Sequence, residues 1–208
     1  LTPGRNFVRN SHIHNFSRWK RTYSQAIRFH EGAGNEATHN LIHGTPHIAI
    51  QYSGNDHLIR YNEIYNSCWE TGDAGVIMGD WGWDGRGNRI VDNYLHDNVS
   101  RYGGRGEFNA VYLDGSCAGD TIAGNVFYNS GTFGVMHNSG REVVIQNNIF
   151  VGSRVGIHAT ANAWYDTTEG HPMNFLERIK AFDFRNPPWS IAYPALARTP
   201  DDHHHPDF

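Results

Sequence analysis

A short cassette recurs six times along this chain: an asparagine, two or three mostly apolar residues, then another polar or amide residue. The copies are Asn10-Ser-His-Ile-His-Asn15, Asn40-Leu-Ile-His43, Asn62-Glu-Ile-Tyr-Asn66, Asn93-Tyr-Leu-His-Asp-Asn98, Asn125-Val-Phe-Tyr-Asn129 and Asn148-Ile-Phe-Val-Gly152. Their lead asparagines lie 30, 22, 31, 32 and 23 residues apart. A repeat of this length is one turn of a stacked solenoid, because a single unit cannot bury its own apolar face. Stacked asparagines form hydrogen-bonded ladders and tolerate tight, left-handed bends, so the lead column is read as scaffold.

A second register follows each cassette, in Ala26-Ile-Arg-Phe-His30, Ala49-Ile-Gln-Tyr-Ser53, Gly75-Val-Ile-Met-Gly79, Ala110-Val-Tyr-Leu-Asp114, Gly134-Val-Met-His-Asn138 and Gly156-Ile-His-Ala-Thr160. Alternation with period two predicts strands. Turning Ile27, Ile50, Val76, Val111, Val135 and Ile157 inward predicts an outward column of Arg28, Gln51, Ile77, Tyr112, Met136 and His158. A second outward column follows it: His30, Ser53, Gly79, Asp114, Asn138 and Thr160. A third short strand precedes each next asparagine, as in His57-Leu-Ile-Arg60 and Asn88-Arg-Ile-Val91. Three strands per turn make an all-β parallel β-helix of about six coils over residues 1–162. Residues 163–208 are expected to form an arm packed on it, helical over Met173–Ala181 and extended through Pro187-Pro-Trp-Ser and Tyr193-Pro-Ala-Leu.

The long coils carry inserts at one edge: Arg18–Tyr23, Cys68–Asp73 and Val99–Arg105, with a further one at Asp80–Gly85. Loops on one edge of a stack project together, so they predict a groove walled beside the second strand's outward columns.

The composition narrows the partners. A net charge of −4, from 17 basic and 21 acidic side chains, argues against a nucleic-acid groove. No apolar run is long enough for a membrane-spanning helix. Cys68 and Cys117 are too few for a disulfide framework, though they sit on different coils and can be read as a bridge or as two thiols. The chain opens inside a repeat, without initiator Met or signal peptide, and is read as a piece of a longer secreted or periplasmic protein. Histidines and aspartates show no metal-ligand spacing, so neither metal nor cofactor is expected.

Asp80 and Asp114 end the second strands of the two adjacent long coils, with Asp80 expected one residue out of register. Strands about 4.8 Å apart would put their carboxyls about 5–9 Å apart, the separation glycoside hydrolysis uses for its acid and its nucleophile or base. Both aspartates can also simply shape turns. Glu70 and Asp73 on the wall loop are reserves for either role. Trp81 and Trp83 can stack on sugar rings or pack back on the coil. Tyr112, Asn138 and His158 face the predicted floor; His137 has inward parity, as a core histidine would.

Several stretches carry a resemblance: Gly54-Asn-Asp-His-Leu-Ile-Arg-Tyr-Asn-Glu-Ile-Tyr65, Glu70-Thr-Gly-Asp-Ala-Gly75, Val111-Tyr-Leu-Asp-Gly115 and Pro187-Pro-Trp-Ser. They resemble secreted bacterial right-handed parallel β-helix proteins, most of all the glycoside hydrolase family that includes α-L-fucosidases and xylanases. The resemblance implies two catalytic aspartates on neighbouring coils, one in Tyr-Leu-Asp, matching Asp114, and one in a Gly-Arg-Asp-Trp-like segment. The latter matches Gly79-Asp80-Trp81 without its arginine, leaving Asp84 as the other choice. It implies a poly- or oligosaccharide substrate and substrate-binding roles for Glu70, Asp73, Trp81, Trp83, Tyr112, His137, Asn138 and His158. The expected protein is a monomeric glycosidase. A polysaccharide lyase, with Arg28, Arg101 or Arg105 at a uronate, and a non-catalytic carbohydrate-binding solenoid are the alternatives.

Overall fold

The computed structural model describes residues 2–82, 84–101, 108–161 and 183–198. Eighteen short strands form six coils of three, and each position in the coil stacks into its own parallel six-stranded sheet. The first sheet holds β1 (Phe7–Arg9), β4 (Glu36–Thr38), β7 (Leu58–Arg60), β10 (Arg89–Val91), β13 (Thr121–Ala123) and β16 (Val144–Gln146). The second is built from the cassettes: β2 (His12–His14), β5 (Leu41–Thr45), β8 (Glu63–Ser67), β11 (Tyr94–Asn98), β14 (Val126–Ser130) and β17 (Ile149–Val151). The third holds β3 (Ile27–Phe29), β6 (Ile50–Tyr52), β9 (Gly75–Gly79), β12 (Asn109–Leu113), β15 (Phe133–Asn138) and β18 (Val155–Thr160). This is the parallel β-helix that the repeat predicts.

The core is three columns of stacked side chains. Ala37, Ile59, Ile90 and Ile122 align in the first sheet. Ile42, Ile64, Leu95 and Phe127 align in the second, and Ile50, Ile77 and Val111 in the third. All but Ile59, at 2% exposed, are fully buried. Like residues stack because every coil presents the same position to its neighbours at the strand spacing.

The asparagine ladder runs through the interior. Asn62, for instance, donates its backbone N–H and its Nδ2 to Asn93 Oδ1, at 3.0 and 2.9 Å, and Nδ2 also reaches Ala37 O. Asn40, Asn93 and Asn125 repeat the pattern, and Asn148 ends it, accepting from Asn125 and donating Nδ2 to Ile122 O. In the first coil the ladder residue is Ser11, whose N–H donates to Asn40 Oδ1, and not Asn10. Asn10 instead occupies the left-handed bend just before the ladder, with φ 52°, a place held in later coils by His39, Tyr61, Asp92, Gly124 and Asn147. A further corner ladder, Asn35–His57–Asn88–Asp120, links the same coils.

The third sheet departs from the expected register at β9. Ile77, not Val76, aligns with Ile50 and Val111, and Met78 aligns with Gln51 and Tyr112. Gly79 therefore takes the inward position, where an added Cβ would meet the Tyr52 ring and Cys117 Sγ. The apolar run Val76-Ile-Met lets either parity fill the core, and the lack of a side chain at Gly79 makes room for the Tyr52 ring.

Cys68 and Cys117 are both buried free thiols. The arm residues expected to be extended form two short helices, α1 (Trp189–Ala192) and α2 (Pro194–Ala197). Proline at the first turn of α2 starts it without costing a needed N–H. The expected helix over 173–181 lies outside the described residues. Phe184 and Leu196 make a small core with Trp81, Trp189 and Tyr193, and the Tyr193 hydroxyl donates to Asp56 Oδ2 at 2.8 Å. Among the described residues no helix is long and apolar enough to cross a membrane.

Candidate functional site

The slip in β9 decides where Asp80 stands. The Asp80 N–H donates to Tyr52 O and the Asp114 N–H to Gly79 O, continuing the ladder one residue beyond each strand. Asp80 is thus in register with Asp114, in one outward column with Ser53, Asn138 and Thr160, rather than displaced by one position.

Asp114 is hydrogen-bonded on both its carboxylate oxygens. Its Oδ2 accepts the Trp81 indole N–H at 2.6 Å, and its Oδ1 accepts Asn138 Nδ2 at 3.1 Å. The Tyr112 hydroxyl stands beside it and accepts the same Asn138 Nδ2 at 3.3 Å. Asn138 is itself held by Thr160, whose hydroxyl donates to Asn138 Oδ1 at 3.0 Å. The Trp81 indole lies flat on Gly115, close enough that a Cβ there would come within 2.5 Å of the ring. Sequence reasoning offered Trp81 as a sugar platform or a packing residue; the structure makes it a half-buried donor to Asp114.

Asp80 is more open. It faces Arg28, NH2 to Oδ2 3.6 Å, with both side chains substantially exposed, so the pair is loose and weak. Its Oδ1 also accepts the Trp81 backbone N–H at 3.2 Å. Beneath both aspartates, Cys117 Sγ lies 3.2 Å from Asp80 O and 3.0 Å from Asp114 O, tying the two coils together at the carboxylate carriers.

Asp73, on the loop before β9, faces the same group. Burial, then the nearby Asp114 charge, pushes its carboxyl above the ordinary aspartate value. The Tyr112 phenol is pushed up by burial first and then by Asp114 and Asp73. Tyr23, from the first coil's insert, is raised by burial, Asp73 and Asp114. Tyr23 and Asp73, from the inserts of coils one and three, therefore both lie near Asp114. Glu70 holds these inserts together: Arg21 grips both its carboxylate oxygens at 2.6 Å. That guanidinium, above all its hydrogen bonds, lowers the Glu70 carboxyl below its usual range. Glu70 is a clamp between walls and does not face Asp114.

Of the other expected floor residues, Tyr112 and Asn138 join Asp114. His158 aligns with Met136 and Tyr112 but packs its ring on Phe133, 4.8 Å between centroids. His137 aligns with Leu113 and Ala159 on the inward parity, off the floor. Asp84 stands outside the column, on the loop after it. Trp83 and Arg105 lie outside the described residues. Among the described residues no three His, Cys, Asp or Glu side chains group to hold a metal ion.

Beyond Asp80 the column opens into a cavity of about 450 Å³ at the corner between the third and first sheets. Tyr52 and Asp120 reach it from below, Trp81 and Asp84 from the long loop, and Trp189 from the arm. Asp120 accepts the Tyr52 hydroxyl at 2.7 Å and Asn88 Nδ2 at 3.0 Å. Burial outweighs these donors and pushes its carboxyl up to about 7. No residue pattern in the sequence marked this pair, because it joins positions 68 residues apart through the corner ladder.

The chain matches no protein-family model, no curated protein and no solved structure.

Proposed function

We propose that this protein is a glycoside hydrolase that cleaves a poly- or oligosaccharide with Asp114 and Asp80 as its two carboxylates. The observation that carries the reading is their shared column: two carboxylates on adjacent coils, in register, beside a walled groove. Asp114 accepts the Trp81 indole N–H and Asn138 Nδ2, two donors aimed at its carboxylate oxygens. It suits the charged role, attacking the anomeric carbon or activating water. Asp80, held by the Trp81 backbone N–H and the loose Arg28 pair and open to the cavity, takes the remaining role of proton donor. Asp73 is the competing donor, since it too faces Asp114 and holds its proton above the ordinary range.

Among the described residues, the arginine positions favour hydrolysis over elimination. A lyase needs a cation free to neutralise a uronate, whereas Arg28 faces Asp80 and Arg101 lies over the Trp69 ring. The test screens purified protein on a panel of plant and bacterial glycans, then compares Asp114→Asn, Asp80→Asn and Asp73→Asn on any glycan cleaved. Asp114→Asn should lose about a thousandfold or more in kcat/KM. The variant of the donor should recover on an aryl glycoside whose leaving group needs no proton. Full activity in Asp114→Asn, or unsaturated uronide products, would refute the proposal.

A further inference from the structure

We infer that the cavity beside Asp80 is a subsite for one uncharged terminal sugar, so that the glycan is engaged by its end. This deepens the hydrolase reading and rests on it for the cleavage step, though not for binding.

Three observations point to it. The cavity is bounded on several sides. Thr2, His30 and Glu31 line it from the first coil, and the arm brings Trp189 over it opposite the long loop. A groove open along its length would pass an internal chain unit; a cavity stopped by the arm accepts an end. Its size, about 450 Å³, lies in the range of small-molecule sites.

The lining suits a sugar. Trp81 and Trp189 both line the cavity, and the part of an indole left open to a cavity offers apolar surface to the C–H groups of a pyranose. The polar groups toward the cavity include the Ser53 hydroxyl, the exposed His30 ring and the Asp80 carboxylate. They offer both donors and acceptors to ring hydroxyls.

The charge is one-sided. Among the described residues the acidic side chains of Glu31, Asp80 and Asp84 line the cavity above the buried Asp120, and no lysine or arginine does. Two guanidinium groups stand nearby, each facing an acid: Arg28 faces Asp80, and Arg86, whose charge acts on Asp120, pairs with Glu142. A uronate or sulfated sugar would bring its own negative charge among these carboxylates, and like charges at such distances repel. The cavity therefore selects against acidic sugars as well as for a terminal position.

The test measures binding of D-xylose, D-galactose and D-galacturonate to Asp114→Asn protein by saturation-transfer NMR and calorimetry at pH 7. A neutral sugar should bind at least about tenfold more tightly than galacturonate. Trp189→Ala should weaken that binding about tenfold or more. His30→Ala, at an exposed position that cannot unfold the chain, should weaken it severalfold and so guards against loss of fold in the tryptophan variant. Equal or better binding of galacturonate, unchanged affinity in both variants, or no binding of either neutral sugar overturns the inference. Products of wild-type cleavage separate the two claims. Internal cuts that depend on Asp114 would leave the hydrolase standing and remove the end-binding subsite. Neutral-sugar binding lost in Trp189→Ala, without any cleavage, would keep the subsite and remove the hydrolase.

Discussion

The Asp120 carboxyl makes the stability of this fold depend on pH in a direction that one substitution isolates. Asp120 is 2% exposed, and its pKa moves from an ordinary 3.8 to about 7, chiefly because burial penalises its charge. Between those values the folded protein keeps a proton that the unfolded chain has already released. Stability from this group is therefore complete below about pH 4, declines as pH rises, and is lost above about pH 7. A displacement of about 3 units, at 1.36 kcal/mol each, sets an upper bound of about 4 kcal/mol. Asp120→Asn removes the titration while an amide can still accept from Asn88 and donate to the Tyr52 oxygen. Urea unfolding followed by tryptophan fluorescence from pH 4 to pH 8 should show the variant gaining on wild type by a few kcal/mol, with the gain levelling off above pH 7. Every other titrating group, Asp73 included, is common to both proteins and cancels in the difference. Parallel pH profiles for the two proteins would refute the assignment of a displaced, buried proton to Asp120.

Two further substitutions test the scaffold and the site. Asn93→Ala strips partners from the Asn62 N–H, Ile59 O and Asn125 Oδ1 inside the ladder; it should cost about 2–4 kcal/mol, read as a lower urea midpoint, with less lost in Asn148→Ala at the half-exposed end. Gly115→Ala places a methyl 2.5 Å from the Trp81 ring at a residue with φ +48°. It should drive the indole off Asp114, changing tryptophan emission and removing the proposed glycan cleavage while far-ultraviolet dichroism stays that of the parent.

The fold was legible because its period is written in side chains that must meet their own kind. Asn40, Asn62, Asn93 and Asn125 each hydrogen-bond the next, the last of them reaching Asn148, so spacing alone located the coils. The first coil misled because its ladder position is Ser11, while Asn10 serves a bend that accepts histidine, tyrosine, aspartate or glycine in the other coils. The register of β9 was illegible for a different reason: Val76, Ile77 and Met78 are interchangeable as core, and only the fit of Gly79 against Tyr52 chooses between them. Asp114 could be picked out from its strand end. Its neighbours could not, since Trp81, Tyr112 and Asn138 come from three coils and meet only through stacking. The Asp120–Tyr52 pair and the cavity under Trp189 likewise exist only once the corners and the arm are in place.

The slip at β9 also separates two kinds of variation. The face on which Asp80 lies is counted from Gly75, where pairing with the neighbouring coils begins, and the wall residues up to Asp73 come before that count starts. Residues can be added to or taken from the wall in any number without turning the carboxylate over. A single residue gained or lost between Gly75 and Asp80 would turn it into the core. The walls can thus be re-cut by changes of length, while the column that carries Asp80 and Asp114 tolerates changes of side chain alone.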